Sequence, residues 1–78
     1  MVSDTLSFTV STSDLDAVIG ALKELLPETL YPIAWRILTA ERERRALKAP
    51  AMPIIMARQV YEDLPPPIKP LLGTPVVS

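Results

Sequence analysis

The chain has 78 residues, 49% hydrophobic and 22% charged, with a net charge of −1, 9 prolines, no cysteine and no histidine. A chain this short forms one small domain that buries only about 60 to 65% of its unfolded surface, so a disulfide, a metal or a partner usually completes it. The absent residues exclude disulfides, thiolate nucleophiles and zinc fingers, together with the commonest acid/base group and metal ligand. No cofactor is expected, and the remaining staple is another protein surface.

Thr5 to Ser11 alternates Leu6, Phe8 and Val10 with Ser7, Thr9 and Ser11. A period of two in β-branched and aromatic residues predicts a half-buried strand. No later run alternates as cleanly, so Leu6, Phe8 and Val10 are expected to meet the same strand of a second copy or the sheet edge of another protein. Ser13 to Asp16 has the form of a capping box, with Ser13 as N-cap. Helix one then carries Leu15, Val18, Ile19, Leu22, Leu25 and Leu26 on one face and closes at Pro27.

Thr29 can cap a second helix, Leu30 to Lys48, with Pro32 in its first turn, where a missing N–H costs little. Leu30, Ile33, Ala34, Ile37 and Leu38 continue the inward stripe. Ala40 to Lys48 then reads as a solvated end in which Glu41 can reach Arg44 and Arg45. Trp35 lies beside the stripe and can serve both core and interface. Pro50 ends this helix and Pro53 can start a third, with Met56, Ala57, Val60, Tyr61 and Leu64 at helical spacing. Pro65-Pro66-Pro67 stops it and begins an extended stretch.

The fold class expected is therefore mainly α with a short N-terminal strand: a strand–helix–helix body over 1–49, then a short helix and an extended Pro-rich arm over 50–78. Seven of the nine prolines fall in those last 29 residues. Disorder requires low hydrophobicity and high net charge, and a mean hydropathy of +0.27 argues against it. Leu64, Ile68, Leu71 and Leu72 are too apolar for a free linker, and Pro67 to Pro70 has the P-x-x-P form of SH3-type ligands. Leu64, Pro67, Ile68, Pro70, Leu71 and Leu72 are thus candidate partner contacts, with Leu6, Phe8, Val10 and Trp35.

Charge is segregated. Residues 1–28 hold Asp4, Asp14, Asp16, Glu24 and Glu28 against Lys23, a net of −4; residues 29–48 hold five cations against Glu41 and Glu43, a net of +3. The two segments can pack against each other or against a second copy. The carboxylate pairs Asp14/Asp16 and Glu62/Asp63 sit at helix ends rather than in a cleft, and no Gly-rich phosphate loop exists, so an enzyme is not expected. The opening Met1-Val2-Ser3-Asp4 lacks the basic start of an export signal, and charges interrupt every apolar run short of a membrane span. The expected setting is the cytoplasm or a virion.

Arg42, Arg44 and Arg45 could touch phosphates, though Glu41 and Glu43 interleave with them. With the order strand, helix, turn, helix, residues 5–45 resemble ribbon-helix-helix repressors and antitoxins. The resemblance implies paired strands from two copies, base contacts from Ser7, Thr9 and Ser11, and a C-terminal tail that wraps a toxin. Leu15 to Pro27, followed by an Arg-rich helix ending in Ala49-Pro50, is similar to the opening helices of head-to-tail connector and tail-completion proteins of tailed phages. The reading that unites these features is a non-enzymatic structural or adaptor subunit of a homo- or hetero-oligomer, docking through its Pro-rich arm.

Overall fold

In the computed structural model, which describes residues 4–77, strand β1 (Thr5–Phe8) leads into helix α1 (Thr12–Lys23), the single turn α2 (Pro27–Leu30) and helix α3 (Pro32–Ala46). Strand β2 (Ile54–Ala57), the short helices α4 (Arg58–Glu62) and α5 (Lys69–Leu72), and strand β3 (Val76–Val77) complete the chain. It is a small compact α/β protein with a three-stranded antiparallel sheet in the order β2-β1-β3. Leu6 and Phe8 face Met56 and Ile54 across the β1–β2 ladder, and all four side chains are buried beneath the helices.

That topology corrects the expected strand partner. β1 is the central strand, with β2 along all four residues on one side and β3 against Leu6 and Ser7 on the other, so its partners among the described residues come from its own chain. Ile54 to Ala57, expected in a third helix, is strand because its alternation, Ile54 and Met56 in and Ile55 and Ala57 out, suits the open edge of β1. Helix begins only at Arg58, whose N–H donates to the Asp4 carbonyl (2.6 Å) and closes the ladder.

The C-terminal arm is also corrected. Leu64, Ile68 and Leu72 are buried in the same core as Leu15, Val18, Leu22 and Leu38. The prolines produce short turns and the one-turn helix α5, which fold the arm back over α1. The Lys69 ammonium lies 5.6 Å from the centre of the Tyr61 ring, which itself packs on Phe8 at 5.0 Å. A radius of gyration of 11.9 Å, close to the roughly 11.5 Å of a folded chain this long, leaves no protruding tail among the described residues.

Local signals place the helix ends within a few residues. Ser11, rather than Ser13, caps α1, its hydroxyl accepting the Asp14 N–H at 3.1 Å. Helix α1 ends at Lys23 rather than at Leu26, so Leu25 and Leu26 leave its buried face; Leu26, which Pro27 bars from the right-handed helical basin, takes the left-handed region at φ 53°. Pro32 occupies the first position of α3. At the other end Lys48 takes φ 65°, with Lys48 N–H donating to Arg45 and Ala49 N–H to Arg44, a Schellman turn built without glycine.

Candidate functional site

The α1–α2–α3 corner follows from its backbone. Pro27 and Pro32 stand five residues apart, leaving α2 a single turn that cannot turn its whole apolar complement inward. Leu26 and Leu30, one turn apart and linked by the Leu30 N–H to the Leu26 carbonyl, are 69% and 60% exposed, and Ile33 is 60% exposed. Leu30 and Ile33 line a shallow groove with Val60 and Asp63; Leu26 lines a second with Pro27 and the half-buried Trp35. Glu28 and Asp63 line these grooves with Lys23, and an adjoining depression sets Arg36 beside Glu28, Pro32 and Trp35, so the rim carries both signs of charge; none of these four charged residues joins an ion pair among the described residues. A left-handed leucine costs of order 1–2 kcal/mol, and here it holds an apolar side chain in solvent.

Behind that corner, the second half of α3 holds a buried carboxylate. Glu41, only 7% exposed, accepts from the guanidinium groups of Arg44 and Arg45 (2.7 Å from Arg45 Nε) and from the Met52 backbone N–H at 2.9 Å. The backbone bond from Met52 is the largest single cause holding its carboxyl pKa at about 2, with the bonds from Arg45 and Arg44 acting in the same direction and burial in the opposite one. Arg45 in turn donates to the Met52 carbonyl at 3.1 Å, so the pair clasps the connection between α3 and β2 from both sides. The expected solvated helix end is therefore corrected for Glu41 and Arg45: tertiary contact with the connection buries both.

Of the residues singled out in the sequence, Leu6, Phe8, Val10, Leu64, Ile68 and Leu72 are core residues of this chain, so as partner contacts they are corrected. Trp35 lies at the corner, while Pro67, Pro70 and Leu71 remain exposed around α5. Ser7 is in the central strand, Thr9 and Ser11 follow it, and Ser11 is engaged as a helix cap. Arg42 pairs with Asp16 of α1 at 2.9 Å, one intramolecular use of the charge segregation, and Arg44 and Arg45 are committed to Glu41. Leu26, Leu30 and Ile33 were not legible as surface residues, since leucine and isoleucine at helical spacing read as core. The two prolines bracketing so short a segment were the available signal.

Among the described residues no group of three or more acidic side chains is placed to hold a metal, and no helix is long and apolar enough to cross a membrane. In comparisons with known proteins, no family model, no curated protein and no solved structure matches the chain.

Proposed function

We propose that this chain is a non-enzymatic assembly protein, a structural or adaptor subunit, that docks through the Leu26–Leu30–Ile33 corner. The partner surface is apolar, with polar groups of both signs at its edge to meet Glu28, Asp63, Lys23 and Arg36. The observation that carries this reading is three large aliphatic side chains, each at least 60% exposed, fixed on a corner by two prolines and a strained leucine. Small folded proteins seldom hold such groups in water without a use for them. Rigidity favours binding, because little conformational freedom is lost when the partner arrives.

The test uses the full chain and a paired variant, Leu26→Ser with Leu30→Ser, both checked for native circular dichroism. A partner retained by the wild type and by Ile55→Ser, a half-exposed control on the sheet, but lost by the paired variant supports the proposal. Equal recovery of the same partners with all three proteins overturns it.

A further inference from the structure

The solvent face of α3 carries a second, separate pattern. Ile33, Arg36, Ala40, Glu43 and Leu47 recur at intervals of three and four, so they form one stripe along the helix. All five are exposed, Ile33 at 60% and Leu47, the C-cap, at 83%. Their order is apolar, basic, small, acidic, apolar, and it reads the same from either end except that the charge changes sign. Arg36 and Glu43 join none of the ion pairs among the described residues. At seven residues apart, about 10.5 Å along the axis, they are too far apart to meet within one helix.

We infer that this stripe pairs antiparallel with the same stripe of a second copy. A two-fold axis at Ala40 sets Arg36 against Glu43 of the other copy, and Glu43 against its Arg36. Ile33 then meets Leu47 of the other copy at each end, while the paired alanines let the helices approach closely. An isologous contact demands a surface complementary to itself under a two-fold rotation, and charge reversal about a small central residue provides this. A foreign partner imposes no such symmetry on one helix. The contact is small, below the roughly 1,200–2,000 Å² of a standard stable interface, so the dimer is weak.

This contact goes beyond the docking proposal and shares with it Ile33 and, at the edge of the corner, Arg36. Sedimentation equilibrium of the full chain up to roughly 1 mM, the concentration matching a millimolar Kd, reads it directly. Arg36→Glu alone and Glu43→Arg alone each set like charges against each other twice and should weaken association at least about tenfold. Mixing the two single variants, or combining both changes in one chain, restores opposite charges and should restore the dimer. Ala40→Cys, in a chain with no other cysteine, should cross-link to a disulfide dimer under mild oxidation. A wild type that stays monomeric throughout, or a dimer indifferent to the single swaps, overturns the inference; so does a mixture that fails to associate. None of these substitutions touches Leu26 or Leu30, so loss of the dimer with partner capture intact, or the reverse, separates the two proposals.

Discussion

Glu41→Gln isolates the charge at the centre of the α3–β2 clasp, since glutamine stands in for the protonated acid with nearly the same shape. Glu41 is held at about 2 against an ordinary 4.5, a difference of about 2.5 pH units, or about 3 kcal/mol at 1.36 kcal/mol per unit. Because the folded-state value is depressed, this stabilisation is fully present above about pH 4.5 and fades as the pH falls toward 2. A 78-residue domain has roughly 4 to 12 kcal/mol in all, so the variant should lose a quarter or more of its stability at pH 7. Its Tm should fall by about 10 to 25 °C. Urea melts of both proteins at pH 7, 3.2 and 2 should show the gap at full size, at about half, and nearly closed. The other carboxylates titrate in both proteins and cancel from the difference. A variant as stable as the wild type at pH 7, or a gap that persists unchanged at pH 2, refutes this account of the clasp.

Ile68→Ala should cost about 2–5 kcal/mol in urea denaturation and Leu71→Ala less than about 1, because Ile68 is fully buried and its neighbour three residues on is 37% exposed. If both cost the same small amount, the arm is not part of the core. Ser11→Ala should lower stability by about 1 kcal/mol while Ser13→Ala stays within about 0.5, and the opposite order would return the cap to Ser13. Lys48→Gly should raise the Tm by a few degrees, since glycine relieves roughly 1 kcal/mol of left-handed strain at the Schellman turn. A lower Tm would show that the lysine stem contributes more by packing than the backbone loses by strain.

The amino-acid sequence by itself determined the parts of this protein that depend on near neighbours. The alternation of Leu6 and Phe8 made a strand, the spacing from Leu15 to Leu22 made the buried face of α1, and Pro27, Pro32 and Pro50 set the ends of helices. Each of these follows from sterics or periodicity within a few residues. Only the tertiary structure decided what those elements met. Ile54 to Ala57 carries both a helical spacing and a strand alternation, and the open edge of β1, 46 to 52 residues earlier in the chain, chose the strand. Leu64, Ile68 and Leu72 recur every four residues among prolines that forbid a continuous helix, so their burial depended on a groove formed by α1 and the sheet. Glu41 was legible as a partner for Arg44 and Arg45, but the backbone N–H that makes it a buried acid comes from Met52, eleven residues away across a turn. The small core that first called for a partner turns out to use its own arm to complete itself. The α1–α2–α3 corner and the outer stripe of α3, two of the surfaces it leaves uncovered, became visible once the folded chain had used the rest.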